Sequence, residues 1–252
     1  MTKEVVKKEE ENLALIEEMS SKCSVTGFES MSSKDMEIPF LTILESGSPQ
    51  CKKSNDQYIP GASEGMILDT FTNEIFDGDT GINIIPCFFE KVILEWKPER
   101  GGLAGIHPID THLMGNTEKD EKGRNVLGNG NSLVETAQYY VLHVKKDKTI
   151  DKCCISMSST RLKCSRRWNR VMSLKRLKLS DGTEIVPPSF SYMYNLKLSG
   201  KQEGNNSWWV WEEDSGTKIT DINLFKQAKA LAEECYKGLI KVAVHEQDDI
   251  PF

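Results

Sequence analysis

Lys163, Arg166, Arg167 and Arg170 recur at a spacing that would line one side of a helix with positive charge. At 100° per residue, Cys164, Trp168, Val171 and Met172 fall on the other side. Such a ridge is suited to phosphate. Guanidinium and ammonium groups pair with phosphate oxygens, and each neutralised phosphate releases condensed counterion. No acidic residue stands four positions from these cations, so their mutual repulsion weakens the helix. That cost is easier to understand if an anion normally lies against them. Lys152, Arg161, Lys175 and Arg176 extend the basic segment on either side. Residues 145–178 hold 12 Lys/Arg and 2 Asp/Glu, a balance of +10, whereas the rest holds 20 and 36, a balance of −16. The net charge of −6 therefore hides a strongly basic stripe, a better sign of nucleic-acid binding than the overall charge.

A second set of residues could meet bases. Trp96, Tyr192, Tyr194, Trp209 and Trp211 lie in segments that read as strands, and alternation sends neighbouring rings to opposite faces. Unstacked bases offer π-faces, and stacking on Trp or Tyr contributes roughly 1–3 kcal/mol per base without reading sequence. Most such rings belong to cores, so one or two of the set are expected at a binding surface, with Trp209, Trp211 and Trp96 favoured. Arg100, before Gly101 and Gly102, adds a cation where the backbone can approach a phosphate closely.

The carboxylates allow a rival. Asp77 or Asp79 followed by Glu95-Trp96-Lys97 fits the loose pattern of magnesium-dependent nucleases, in which acids hold the metal and a Lys positions water. That pattern is short and degenerate, and a solvated strand end explains it better. The seven cysteines are odd in number, with no Cys-x-x-Cys pair, and the four histidines show no metal spacing. No metal, no cofactor and no catalytic residue is expected, and the chain is read as a non-enzyme with buried thiols in a reducing compartment.

The ending Asp248-Asp249-Ile250-Pro251-Phe252 can dock on a partner. Phe252 fills an apolar pocket, its carboxylate meets a cation, and the two acids face a basic rim. This ending resembles the C-terminal tip of bacterial single-stranded DNA-binding proteins, which recruits replication and repair enzymes. The segments IPFLTILESGSP and ISMSSTRLKCSRRWN, with the Gly-rich loop, are similar to phage-encoded single-stranded DNA-binding proteins. The long Gly/Gln/Pro-rich linker of the bacterial proteins is missing here. The resemblance implies a protein that coats single-stranded DNA in phage replication, recombination or repair, recruits host or phage proteins through its tip, and places the tail in competition with DNA. A strand-annealing recombination protein and a pure adaptor are the other readings.

The elements that would position these residues follow from periodicity. Residues 1–36 are a polar arm with a short amphipathic helix around Leu13, Leu15, Ile16 and Met19, a possible protomer contact. Strands are expected at 66–68, 82–96, 139–144, 153–157, 190–198 and 207–211, with Pro86 marking a bulge or edge. Residues 97–131, with seven glycines, read as one long loop. A helix from about 160, capped by Ser158 or Ser159, carries the cations. A last helix spans about 221–242, with Phe225, Ala228, Leu231, Cys235, Leu239 and Val242 facing the core. The fold class is mainly β (α+β): an OB-like barrel of five or more strands over 37–220, with an inserted basic helix, a C-terminal helix (221–244) and a flexible acidic tail (245–252). No apolar run is long enough to span a membrane and no secretory leader is evident, so a cytoplasmic, soluble protein is expected.

Overall fold

The computed structural model describes residues 3–25, 27, 29, 30 and 37–242, with backbone alone at 3–11, 100, 241 and 242. The chain divides into two compact units, residues 1–36 and 37–252. In the first, helix α1 (Lys3–Ser21) carries Leu13, Leu15, Ile16 and Met19, each more than half exposed.

The second unit is mainly β. Its strands begin β1 (Glu37–Ile38), β2 (Leu41–Ile43), β3 (Met66–Asp69), β4 (Ile75–Asp77), β5 (Ile82–Trp96), β6 (Leu103–Pro108), β7 (Glu118–Lys119) and β8 (Asn125–Val126). β9 (Ser132–Val144), β10 (Ile150–Ser158) and helix α2 (Leu162–Ser173) follow. Then come β11 (Leu177–Lys178), β12 (Glu184–Ile185), β13 (Tyr192–Glu203), β14 (Asn206–Glu213), β15 (Thr217–Lys218), helix α3 (Ile222–Tyr236) and β16 (Lys241–Val242).

β5 and β9 are rich in β-branched and aromatic residues, and their apolar runs are nearly continuous. Such runs belong to strands covered on both faces. The two pair antiparallel from Asn83 opposite Val144 to Trp96 opposite Ser132. The register shifts between Pro86 and Phe88, where proline has no N–H to offer the ladder. Around this pair a nine-stranded sheet forms in which β13 and β14 continue from one side of β5, and β10 pairs with β9 on the other. The sheet curls into a half-barrel. Its margins are tied to the small sheet of β2, β3 and β4. The Cys154 N–H donates to the Pro39 carbonyl (2.8 Å) just before β2, and the Leu198 N–H to the Gly78 carbonyl (2.8 Å) just after β4.

Alternation divides the apolar residues between two cores. One face of the curled sheet presents Ile84, Tyr139, Val141, Cys153, Ile155, Tyr194 and Leu196 to α2 and the small sheet. The other presents Ile85, Cys87, Tyr140, Leu142 and Cys154 to α3. Asp221 caps α3 by accepting from the N–H groups of Asn223 (2.8 Å) and Leu224 (3.2 Å). Burial pushes the thiols of Cys87, Cys153 and Cys154 upward, and that of Cys235 to about 12.

Three expectations about elements need correction. The last helix stops at Tyr236, because Gly238 adopts φ +65° and turns the chain into β16, which pairs parallel with β1. Leu239 and Val242 therefore lie beyond it. Residues 97–131 are not one loop: β6 pairs with β5, and the β7–β8 hairpin is joined to β9. Gly123 and Gly130, both at positive φ, lie in the turns on either side of β8. Neither Ser158 nor Ser159 caps α2 through its side chain; Ser159 instead adopts φ +49° at the corner between β10 and the helix.

Trp168 fills the α2 side of the core together with Trp211 and is 1% exposed. Trp168→Ala is expected to cost about 3–5 kcal/mol of stability through the cavity left behind, measured by denaturant unfolding.

Candidate nucleic-acid interface

Helix α2 is seated by aromatic contacts. The Trp168 ring lies 4.5 Å from Tyr139 and edge-on to Tyr194 at 5.8 Å. The Tyr139 hydroxyl is within hydrogen-bond distance of Ser165 Oγ (2.8 Å) and Asn169 Oδ1 (2.9 Å). Burial raises that hydroxyl's pKa, so it stays a neutral donor. Cys164, Ser165 and Trp168 are buried, while Lys163, Arg166, Arg167 and Arg170 are exposed, the division that the helical period implies.

The cations that are continuous in sequence separate in space. Lys145 lies at the far end of β10 from α2, about 27 Å along an eight-step strand, and bridges Glu74 (2.7 Å) and Asp151 (2.9 Å). Lys152 pairs with Glu234 of α3 at 2.8 Å, which ties it to the opposite side of the sheet from α2. Arg161 binds Glu45 and donates from Nε to the Trp209 carbonyl (3.1 Å). Arg167 forks onto Glu213, with Nε–Oε1 and Nη2–Oε2 both 2.8 Å. Its guanidinium pKa is raised by that hydrogen bonding. Lys175 donates to the Ser215 carbonyl and lies 4.7 Å over the Tyr192 ring. Arg176 satisfies the end of α2, donating to the carbonyls of Ser173 (2.9 Å) and Lys175 (2.8 Å). Acids far away in sequence thus answer several charges that look uncompensated locally. Lys163, Arg166 and Arg170 have no acidic partner among the described residues and form the accessible crest.

The rings also divide. Trp96 (5% exposed), Tyr194 (1%) and Trp211 (2%) are core side chains with no face for a base. Trp96 packs with Val92, Leu94, Leu103 and Val134 on the extended end of β5, away from α2. Tyr194 carries α2 from beneath, with its hydroxyl pushed up to about 12 by burial. Trp209 is half-buried, so close over Gly65 that an added Cβ there would lie 2.7 Å from its ring. Tyr192 is half-buried beneath Lys175. The Arg100 side chain and residues 248–252, with Asp248, Asp249, Ile250, Pro251 and Phe252, lie outside the described residues. The sequence reading missed Phe89, an exposed ring packed 5.0 Å from Tyr139.

The carboxylates of the nuclease pattern do not meet. Asp77 is engaged by Thr80 and the Asp79 N–H before β5 begins, whereas Glu95 stands near the strand's far end, on the order of 40 Å along it. Glu95 accepts from Asn131 Nδ2 (2.5 Å) and pairs with His107 Nε2 (2.7 Å). No cluster of three potential metal ligands occurs among the described residues.

A β-rich half-barrel bearing a basic helix at its margin is the class of structure defined here, and no helix among the described residues is long and apolar enough to cross a membrane. Residues 7–241 match the family model of Pam3 phage gp34-like proteins, and the chain belongs to that family of phage proteins. No curated protein and no solved structure gives a match.

Hydrogen bonds from Asn131 and His107 hold the Glu95 carboxyl below the ordinary carboxylate range. A depressed folded-state pKa stabilises the fold above the unfolded value, and this contribution disappears as pH falls through the folded one. The stability deficit of Glu95→Gln relative to the wild type should therefore be largest near about pH 7 and shrink towards about pH 3, as measured by thermal melts across that range.

Proposed function

We propose that the chain binds single-stranded DNA without reading its sequence and takes no part in covalent chemistry. The observation that carries this reading is the crest of Lys163, Arg166 and Arg170 on α2. These cations are exposed and free of acidic partners among the described residues, on a helix whose other face is locked by Trp168 and Tyr139. Successive members stand about one turn apart, and each can meet a separate phosphate. The rigid base means that little side-chain freedom beyond the cations themselves is lost on binding. Membership of a phage family is consistent with a role on replication or recombination intermediates. The half-barrel, with the small sheet tied to its margins, fits an OB-type domain, a frequent host for single strands.

The acidic segment at 246–252 belongs to this reading as the part that would engage replication or repair proteins and compete with DNA for the crest. The protein would then act in the host cytoplasm, coating exposed strands while its tail recruits enzymes.

The decisive test is anisotropy of a labelled 30-nucleotide strand and its duplex over a range of salt. Preference for the single strand with a steep salt slope supports the reading; no binding to either form sinks it. Neutralising the crest (Lys163→Gln, Arg166→Gln, Arg170→Gln) should reduce the slope of log K against log salt by about 2, at about 0.7 per lost phosphate contact. Neutralising exposed Lys52 and Lys53, two charges away from the crest, should leave the slope little changed. Removing residues 246–252 should tighten binding at low salt; unchanged affinity would dismiss the competition.

A further inference from the structure

Helix α2 is asymmetric around its basic crest. On one flank Arg167 is tied to Glu213 of β14. The other flank carries Ser165 and Asn169, both held by the Tyr139 hydroxyl. Phe89 pairs with Tyr139 across β5 and β9, and its ring packs 5.0 Å from it with 37% of the residue exposed. It is the outermost member of a column running Phe89, Tyr139, Trp168 and Tyr194 through the core. Among the described residues, Phe71 and Tyr236 are also exposed rings, but neither belongs to this column.

Arg166 lies about 60° further round the helix than Asn169, which brings it towards the Phe89 flank, and Arg170 follows one turn along. The cation next along that strand face, Lys91, is already paired with Glu135 at 2.5 Å. Phe89 is thus an exposed ring packed on the Tyr139 that seats α2, and Arg166 and Arg170 are the guanidinium groups on that helix with no acidic partner among the described residues. A ring so placed offers one face for stacking and none of the hydrogen-bonding groups that would read a base.

We infer that a nucleobase of a bound single strand stacks on Phe89 while its neighbouring phosphates lie against Arg166 and Arg170. The inference rests on the single-strand reading above. It assigns the strand a direction across the protein, off the crest towards β5 and away from the β14 side closed by the Arg167–Glu213 fork. It also names an unstacked base as the chemistry recognised, beyond phosphate alone.

The test compares an oligothymidine strand with an abasic strand of equal length, which keeps the phosphates and lacks the bases. The wild type should bind oligothymidine more tightly. Phe89→Ala and Phe89→Leu should weaken that complex by about five- to thirtyfold. Both should leave the abasic complex within about twofold, since its phosphates remain. Leu keeps apolar cover on Tyr139, so its effect is separable from loss of fold, which thermal melting checks. Phe89→Trp should restore affinity and add emission that is quenched on binding. Full oligothymidine affinity in Phe89→Leu overturns the inference and leaves single-strand binding intact. Failure of the wild type to bind any strand overturns both.

Discussion

The antiparallel ladder between β5 and β9 is the constraint on which the rest of the domain depends. It runs from Asn83 opposite Val144 to Trp96 opposite Ser132, long enough to exceed the width of one core. Its middle is covered on both faces, by α2 with the small sheet on one side and by α3 on the other. Its far end continues beyond these cores and gathers β6 and a small apolar cluster around Trp96. Since side chains alternate along the ladder, a slip of one residue would exchange Tyr139 with Tyr140 and disrupt both cores together. The positions of α2 and Phe89 follow from that single register.

Around α2, packing and electrostatics act on different sides of the same helix. Trp168, Tyr139 and Tyr194 fix its distance and rotation. Arg161 with Glu45, and Arg167 with Glu213, attach it to neighbouring segments at two points. Arg167 is half exposed, so its pair contributes orientation more than stability. Cations serving as structural ties are subtracted from the surface charge, leaving a much smaller crest than the composition of the segment suggests.

Period and alternation made part of this arrangement legible in the sequence. The helix bearing the cations, its buried Trp168, the long strand interrupted at Pro86 and the β-rich class all follow from local patterns. The pairing of the cations did not, because Glu45 and Glu213 are 116 and 46 residues from their partners, whereas the sequence rule looks only one turn away. The rings were misread for a related reason. Alternation shows which side chains share a face, but both faces of a curled, doubly covered sheet are interior, so Tyr194 and Trp211 are buried. The strands within 97–131 escaped notice because they are short and exist through pairing with the longer ladder. Gly238 ended α3 where the apolar stripe alone would have continued it.

The seven thiols form a hierarchy of chemical reach. Cys87, Cys153, Cys154, Cys164 and Cys235 are buried, Cys51 is partly covered, and Cys23 is exposed. A thiolate is the nucleophile that attacks oxidants and alkylating agents, and burial withholds both its formation and the reagent's approach. The adjacent pair Cys153 and Cys154 is further divided by the strand itself, which sends one side chain into each core. Oxidative damage therefore has to enter at the periphery, at Cys23 first, while the sulfur atoms inside the half-barrel behave as small apolar packing atoms.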